Sequence, residues 1–428
     1  MRILVAHKYL VRGGGTATYL LALKDALEAA GHRVVPFAVA YEGVLESEYS
    51  DYYVSPPAAP DEIHLKDMRL SPWQALKLFG RATYSLEAKA KAAGLVDAAD
   101  ADIAFVNNIY NYMSPSMLHA FKARGMPIVM RVADHNLFCP SYDCFRTGEF
   151  CMDCVDRGLW TALRHRCVKG SLAATVARVA SMYVHKALRI YDCVDVFITP
   201  SEFLRDLLVQ AGLPEARVRA LPSFCPPANG HSPLPGDGDH ILYFGRIWAQ
   251  KGIDTLIDAY ALLRPDVPLV IAGGDRDGEM GRLKRRAKQT RVADKVHFVG
   301  HREGDELYEL VRRALFTVVP AKWPDIFPMS ILESFAYGKP VLGARVGGIP
   351  EQITPECGRL FEAGNADELA HCMETLLADD TRRAQMGEAA SQRAHQVYSI
   401  DAHRRELLRI FDGLLLARDT RAEELQAV

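Results

Sequence analysis

Two carboxylates bracket the predicted start of a short helix within residues 322–351. Asp325 lies in a loop that prolines on both sides keep out of a helix. Ser330 and Glu333 have the spacing of a capping box, which predicts a helix that begins at Ser330. The free N–H groups and positive dipole of such a helix end favour an anion, and carboxylates nearby favour hydroxyls. A nucleotide sugar offers both, although for either carboxylate taken alone a cap or a turn is the better interpretation.

A wider pattern surrounds these carboxylates. Gly245, Arg246 and Lys251 follow a predicted strand upstream, and the run Glu333–Val341 reads ESFAYGKPV. This half of the chain resembles the C-terminal half of the retaining glycosyltransferases of family 4, whose signature is two glutamates separated by seven residues and then EA-x-A-x-G-x-P-V. Asp325 stands where the first glutamate is usual, which shortens its reach by one methylene.

The resemblance covers nearly the whole chain and implies an α/β protein of GT-B architecture. Two Rossmann-like domains would face each other across a cleft, with the C-terminal helix crossing back to the first domain. The implied reaction is retaining transfer of a sugar from a nucleoside-diphosphate sugar, with no dinucleotide and no cofactor required for the chemistry. Arg246 and Lys251 would stabilise the diphosphate leaving group in place of a divalent metal. Glu333 would hold the ribose hydroxyls and Asp325 those of the donor sugar.

The beginning of the chain has the pattern of a doubly wound sheet. A strand over Ile3–Ala6 is followed by a glycine loop with Gly14 and Gly15, a helix over Ala17–Ala30 and a strand over Val34–Val39. Glycines allow backbone N–H groups to approach a phosphate. A glycine run alone indicates only a tight turn, but members of the family carry such a loop facing the cleft.

Polar residues end the strand predicted over Ile128–Val132. Family members commonly have a His–Asp pair here, and Asp134 matches the aspartate, whereas Ala133 occupies the position of the histidine. His135, one residue later, is either its substitute or a loop cap. We assign catalysis to Asp325, Glu333, Asp134 and His135. We assign donor binding to Gly14, Gly15, Gly245, Arg246, Lys251, Phe327, Pro328, Met329, Ser330 and His301, the last at the end of a predicted strand.

Five of the nine cysteines lie in the polar loop that follows. Cys151 and Cys154 have the C-x-x-C spacing of a structural tetrathiolate site. Some family members share the pattern, on which Cys139, Cys151, Cys154 and Cys167 would bind a zinc ion and Cys144 would be spare. Reduced thiols, or disulfides outside the cytoplasm, are the alternative.

The segment Arg157–Tyr191 contains basic residues, interleaved apolar residues and no acid. Such a segment is usually a solvated helix face, and the sharper interpretation is a face that lies on anionic lipid. The net charge of −2 argues against nucleic acid as a partner. With no signal peptide and no apolar stretch long enough to span a bilayer, we expect a cytoplasmic protein with peripheral membrane contact.

The domain boundaries follow from these patterns. Residues 1–225 form the acceptor-side domain, residues 226–239 a linker rich in proline and glycine, and residues 240–399 the donor domain, with residues 400–428 packed back on the first. The expected function is transfer to a glycan or lipid-linked acceptor in polysaccharide or glycolipid assembly. A non-catalytic partner of an active transferase, and a sugar-nucleotide epimerase or hydrolase, are the alternatives.

Overall fold

The computed structural model describes residues 1–11, 15–56, 72–110, 113–225, 238–275 and 277–426. Two six-stranded sheets dominate it, and all the paired strands within each of them run parallel. The strands are β1 (Arg2–His7), β2 (Arg33–Phe37), β3 (Ile103–Asn107), β4 (Ile128–Arg131), β5 (Phe145–Arg146), β6 (Glu149–Phe150), β7 (Val196–Thr199), β8 (Val218–Ala220), β9 (His240–Phe244), β10 (Leu269–Ala272), β11 (Val296–Gly300), β12 (Ala314–Val319), β13 (Val341–Ala344) and β14 (Gly358–Phe361).

Helices alternate with these strands along the chain. They are α1 (Gly15–Ala29), α2 (Pro72–Thr83), α3 (Leu86–Ala99), α4 (Met117–Ala123), α5 (Asp153–Asp156), α6 (Trp160–His165), α7 (Leu172–Ala187), α8 (Glu202–Gln210), α9 (Ile253–Leu263), α10 (Glu279–Gln289), α11 (Gly304–Arg312), α12 (Met329–Ala336), α13 (Ile349–Gln352), α14 (Ala366–Ala378), α15 (Asp380–Gln396) and α16 (Ile400–Gln426). Because helices cover both faces of each sheet, the central strands, such as β1, β9 and β12, are almost entirely apolar and buried.

Each sheet has one point at which the strand order reverses. The first sheet has the order β2-β1-β3-β4-β7-β8, so the reversal lies between β1 and β3; the second has β11-β10-β9-β12-β13-β14, with the reversal between β9 and β12. Connections leave such a point in opposite directions and open a crevice beyond the carboxyl ends of the strands, where α/β proteins bind ligands. The predicted pair of Rossmann-like domains is confirmed.

The C-terminal helix returns to the first sheet, as predicted. The ring of Phe411 on α16 lies 6.1 Å from that of Phe105 on β3, and the Tyr19 hydroxyl on α1 is 2.6 Å from His403 Nε2. The long helix therefore fixes the two halves of the chain to each other. Most of the predicted linker, residues 226–237, lies outside the described residues, and the domain boundaries stay a prediction.

A glutamate from the second half also caps a helix of the first half. The carboxylate of Glu351 on α13 accepts hydrogen bonds from the N–H groups of Glu202 and Phe203, the first residues of α8, at 2.7 Å each. A carboxylate at a helix N-terminus satisfies free donors and complements the dipole. This contact fixes the relative position of the domains beside their cleft.

The capping box predicted at Ser330 is wrong. Helix α12 begins at Met329, and Pro328 occupies the N-cap position with a φ of −61° and without a side-chain cap. The ring of Pro328 presets the backbone for the turn that begins there, so Ser330 already lies inside the helix. The carbonyl of Ser330 accepts from the hydroxyl of Ser334 at 2.7 Å.

Candidate active site

The donor side of the candidate site lies where β9 and β12 end. Lys251, after β9, forms a salt bridge with Asp325, which follows β12, and their side chains are only 17% and 12% exposed. Both residues were predicted from their motifs, but the pairing was not. The loop before Asp325 is tied to the same place, since the N–H groups of Lys322 and Trp323 donate to the carbonyl of Gln250 at 3.0 and 3.2 Å.

A pair of glycines after β13 presses directly on the backbone of Asp325. Gly347 has a φ of +61°, and a Cβ there would lie 2.3 Å from the Asp325 carbonyl oxygen. A Cβ on Gly348 would lie 2.0 Å from the oxygen of Ile326, while the N–H of Gly348 donates to Asp325 at 2.8 Å. Only glycine permits this approach. The carboxylate of Asp325 is therefore held by its backbone as well as by Lys251.

Arg246 lies on the exposed side of the same strand end. Its guanidinium is 5.8 Å from the ring centre of Trp248, and its carbonyl accepts a hydrogen bond of 2.8 Å from the hydroxyl of Tyr243. Gly245 precedes it with a φ of 142°. The backbone of Arg246 is thus fixed, and the residue is exposed in the same loop after β9 that carries Lys251, a combination of cations suited to phosphate oxygens.

Glu333 occupies a recess in the second turn of α12. The stacked rings of Tyr308 and Tyr337, with centres 5.6 Å apart, lie near it, and the thiol of Cys225 donates to the neighbouring carbonyl of Leu332 at 3.2 Å. Burial raises the pKa of the Glu333 carboxyl to about 7. This carboxyl therefore changes its charge near neutral pH.

The other predicted donor residues of this segment start the same helix. Phe327 is buried with its ring 6.0 Å from that of Tyr398, and the carbonyl of Pro328 accepts from Gln352 Nε2 at 3.2 Å. Met329 and Ser330 form the first turn of α12 and are partly exposed. The first N–H groups of a helix have no partner within it, so the start of α12, four residues after Asp325, offers hydrogen-bond donors.

The first domain contributes Asp134 and His135 after β4. Asp134 accepts from the backbone N–H and from Nδ2 of Asn136, at 3.0 and 2.8 Å. His135 is fully buried, its Nδ1 lies 3.2 Å from the carbonyl of Tyr142, and its Nε2 has no partner among the described residues. Burial lowers the pKa of His135, so the ring is neutral at neutral pH.

Trp323 joins the two halves of the site. Its ring lies edge-on to that of His135, with centres 5.8 Å apart, and its Nε1 donates to the carbonyl of Asp143 at 2.6 Å. The ammonium of Lys251 lies 5.9 Å from the same ring. The structure therefore brings His135 to the Lys251–Asp325 pair through Trp323, a residue that the motif search passed over although it stands two positions before Asp325.

His7 was also missed. It ends β1 opposite Asn107 at the end of β3, and both side chains are buried with a nitrogen that lacks a hydrogen-bond partner among the described residues. Burial lowers the pKa of His7 to about 3. Unpaired buried nitrogens are costly unless a ligand uses them, and these two stand at the reversal point of the first sheet. A polar residue that ends an apolar strand was the available signal.

One predicted donor residue stands apart from this cluster. His301 directly follows β11, which is separated from β9 by β10, and its side chain is 68% exposed with Glu303 at 3.6 Å. Gly15 is the first residue of α1, and Gly14 lies outside the described residues.

The five cysteines of the loop after β4 converge on one place. All of them line a cavity of about 20 Å³, and no disulfide forms within the described part of the chain. The hydrogen bond with Cys144 lowers the pKa of the Cys139 thiol to about 6. Among the described residues, however, no group of three or more His, Cys, Asp or Glu side chains is arranged to hold a metal ion. The zinc site at Cys139, Cys151, Cys154 and Cys167 therefore stays a prediction.

Solved structures share this fold over nearly the whole chain. Sucrose-phosphate synthase from Thermosynechococcus elongatus is 20% identical with a TM-score of 0.69, over 97% of this chain and 100% of that one. Anabaena HepE, solved in complex with UDP, is 18% identical with a TM-score of 0.65, over 96% and 100%. Two Rossmann-like domains with facing strand-order reversals and a returning C-terminal helix define the GT-B class.

Sequence comparison places the chain more narrowly. Residues 14–223 match the family described as "Glycosyl transferase 4-like domain", and residues 229–393 match "Glycosyl transferases group 1". The chain belongs to the family 4 glycosyltransferases. A D-inositol 3-phosphate glycosyltransferase of Jonesia denitrificans is 31% identical over 214 residues, which are 46% of this chain; the match spans about half the length of that relative.

Proposed function

We propose that this protein transfers a sugar, with retention of configuration, from a nucleoside-diphosphate sugar to a glycan or lipid-linked acceptor. The observation that carries the proposal is the Lys251–Asp325 pair beside Arg246 at the strand-order reversal of the second sheet. Two cations and a carboxylate lie there at the ends of the strands. The cations suit the diphosphate of a nucleotide sugar, and the carboxylate suits the hydroxyls of its sugar. The UDP bound by HepE, a protein of the same fold, supports a nucleotide donor.

The leaving group is a diphosphate, on which negative charge develops as the glycosidic bond breaks. Arg246 contacts two phosphate oxygens through its planar fork, and Lys251 adds a point charge. The free N–H groups at the start of α12 complete the set. These fixed cations act where other transferases use a divalent metal, so the chemistry needs no metal ion.

The two carboxylates act on opposite ends of the donor. Asp325 accepts hydroxyl hydrogen bonds from the sugar while its other oxygen stays on Lys251. Glu333 accepts from the ribose hydroxyls, and it does so as a carboxylate, so donor binding strengthens as the pH rises through about 7. We place His135 and Asp134 on the acceptor side of the sugar. The buried Nε2 of His135 has no hydrogen-bond partner among the described residues, and a sugar hydroxyl would supply one.

A peripheral membrane location goes with a lipid-linked acceptor. The described residues contain no helix that combines the length and the apolar character needed to cross a bilayer. Two neighbouring helices of the first domain, α2 and α7, instead expose large apolar side chains, among them Trp73, which is 74% exposed, and Tyr183. No acid occurs in residues 72–83 or 157–191, so these helices suit an anionic surface.

A donor panel tests the proposed function. Purified protein is heated with each of the common nucleoside-diphosphate sugars, since a ligand that binds only the folded state raises the unfolding midpoint. We expect a rise with one donor or one nucleotide class, and its loss in Arg246→Ala. If no nucleotide sugar shifts the midpoint, or if Arg246→Ala responds as the wild type does, the proposal is wrong.

A further inference from the structure

Helix α7 stands apart from the sheet it connects. It is the crossover between β4 and its parallel neighbour β7, yet it packs chiefly on α2 and α6. Buried hydrogen bonds of Thr83, at the end of α2, fix it there: one joins the hydroxyls of Thr83 and Ser181 at 2.5 Å, and the other joins the Thr83 carbonyl to His185 Nε2 at 2.8 Å. A crossover helix held in this way leaves space beneath it.

That space is a groove of about 400 Å³ under α7. Its walls expose almost as much polar as apolar surface, and the apolar part includes Leu137, Phe138, Val155, Leu159 and Met182. Two cations of α7, Arg178 and Lys186, also line it, whereas the charge of Arg189 is offset by Asp192 at 2.5 Å. A trough that is apolar in part and carries two cations about 12 Å apart along a helix suits an elongated amphipathic molecule with an acidic group.

One end of the groove reaches the candidate active site. Arg178 donates to the carbonyl and to Oδ1 of Asn136, at 2.8 and 3.1 Å, and Asn136 Nδ2 donates to Asp134 at 2.8 Å. The three side chains form a continuous path from the groove to a residue that faces the donor sugar. An acidic group bound at Arg178 would hold the part of the acceptor beyond it next to Asp134.

The outer face of α7 indicates where such a molecule comes from. Leu172 and Val176 lie one turn apart on that face and are about half exposed, and Tyr183, which also lines the groove, is half exposed as well. Trp73 and Leu76 of the adjacent α2 are exposed as well. The helix that roofs the groove is thus also the helix suited to rest on an anionic lipid surface.

We propose that the groove under α7 binds the hydrocarbon chain of a lipid-phosphate acceptor, with the phosphate at Arg178. The inference rests on the proposed glycosyl transfer, because a lipid in the groove is an acceptor only if the protein transfers a sugar. It narrows the class of acceptor to lipids that carry phosphate. Lys186, two turns further along α7, contacts the headgroup region of the bilayer from which the lipid enters. The part of the acceptor beyond the phosphate is then presented to the donor next to Asp134.

Direct binding tests the proposal without any donor. The probe is dioctanoyl phosphatidic acid below its micelle concentration, titrated by calorimetry against dioctanoyl phosphatidylcholine, which has no net charge, and glycerol 3-phosphate, which has no chains. We expect phosphatidic acid to bind about fivefold or more tightly than phosphatidylcholine, and about tenfold or more tightly than glycerol 3-phosphate. If glycerol 3-phosphate binds as tightly as phosphatidic acid, the site recognises free phosphate and the proposal is wrong. If phosphatidylcholine binds as tightly as phosphatidic acid, the site does not recognise the charge and the proposal is wrong as well.

Two variants locate the binding. Ala211→Trp fills the groove from the end of α8 and should weaken phosphatidic acid binding at least about tenfold. Its matched control is Ala378→Trp, on an exposed helix end of the second domain. Arg178→Gln should weaken the binding of phosphatidic acid, and thermal unfolding should show that this variant is still folded. Unchanged binding in Ala211→Trp, with that variant folded, contradicts the proposal. If nucleotide sugars fail to bind while phosphatidic acid binds as expected, the proposed lipid site in the groove is supported and the proposed glycosyl transfer is wrong.

Discussion

Lys251 and Asp325 are 74 positions apart in the chain and form a salt bridge at the ends of β9 and β12. The Gly347–Gly348 loop fixes the backbone on the Asp325 side, and Gly252, with a φ of +66°, lies against the carbonyl of Pro320 on the other. Because the backbone is fixed on both sides, the Lys251 and Asp325 side chains are already in position before a donor binds. A preorganised charge costs no reorganisation when charge develops on the leaving group.

The coupling of this pair is measurable. We expect Lys251→Gln and Asp325→Asn each to lower the free energy of unfolding, because each leaves a poorly solvated partner. The double variant should lose less than the sum of the two, by roughly 0.5–3 kcal/mol, which is the range for groups in direct contact. Chemical unfolding of the four proteins gives the coupling energy. Strict additivity would mean that the two side chains do not interact in solution.

Arg246 should matter for turnover and hardly at all for stability. Arg246→Ala removes an exposed cation that contacts the leaving group, so kcat/KM should fall roughly 10²–10³-fold. The unfolding midpoint should stay within the range of a surface substitution. Arg285→Ala, on the exposed face of α10, is the matched control and should keep full activity. Turnover of Arg246→Ala close to that of the wild type would contradict the phosphate assignment.

Glu333 should make stability depend on pH. Burial raises its pKa from the ordinary value of 4.5 to about 7, so the folded state holds the proton more strongly than the unfolded state does. The contribution of this group to stability is complete below pH 4.5 and is lost as the pH rises to about 7. Glu333→Gln removes that loss and should be more stable than the wild type at pH 8, while it binds donor more weakly than Asp325→Asn does.

Unfolding curves at pH 5 and pH 8 decide this point. A constant difference in stability between Glu333→Gln and the wild type at both values would show that Glu333 is not the titrating group. An unchanged KM for the donor would show that it is not the ribose ligand.

The exposed helices α2 and α7 should bring the protein to anionic membranes. We expect co-sedimentation with vesicles of phosphatidylglycerol and phosphatidylcholine, and less with phosphatidylcholine alone, with binding that salt weakens. Trp73→Ser should reduce the bound fraction through an affinity loss of about tenfold, since a large apolar side chain no longer enters the interface. Leu416→Ser, which is 70% exposed on α16, is the control and should bind as the wild type does. Equal binding to neutral and anionic vesicles would leave these helices as ordinary solvated faces.

Much of the architecture was predictable from local patterns. The doubly wound sheets were predictable from apolar strands that end in glycine or polar residues, such as β9 before Gly245 and Arg246. The resemblance to the family placed Asp325 and Glu333 around α12. These features depend on neighbours in sequence. The start of α12 was misjudged because Pro328 competes with Ser330 for the cap, and a proline decides that competition through its fixed φ.

The contacts between distant segments were not predictable. The Lys251–Asp325 pair, the Trp323 bond to Asp143 and the Glu351 cap on α8 join residues that no periodicity relates. His7 was overlooked because a single polar residue at a strand end is common, and only the pairing of β1 with β3 shows that it faces Asn107. The cysteines were expected together and do line one cavity, but a ligand geometry depends on side-chain directions that spacing does not fix.

The release of nucleoside diphosphate from a nucleotide sugar tests the central claim most directly. The wild type, Arg246→Ala and Arg285→Ala are incubated with each donor, with and without a lipid-phosphate acceptor extract, and the free diphosphate and the anomeric configuration of the product are measured by NMR. We expect release with one donor, acceleration by the acceptor, a product that retains the anomeric configuration of the donor, and loss of release in Arg246→Ala alone. Release by no donor, or a product of inverted configuration, would contradict the proposed retaining transfer.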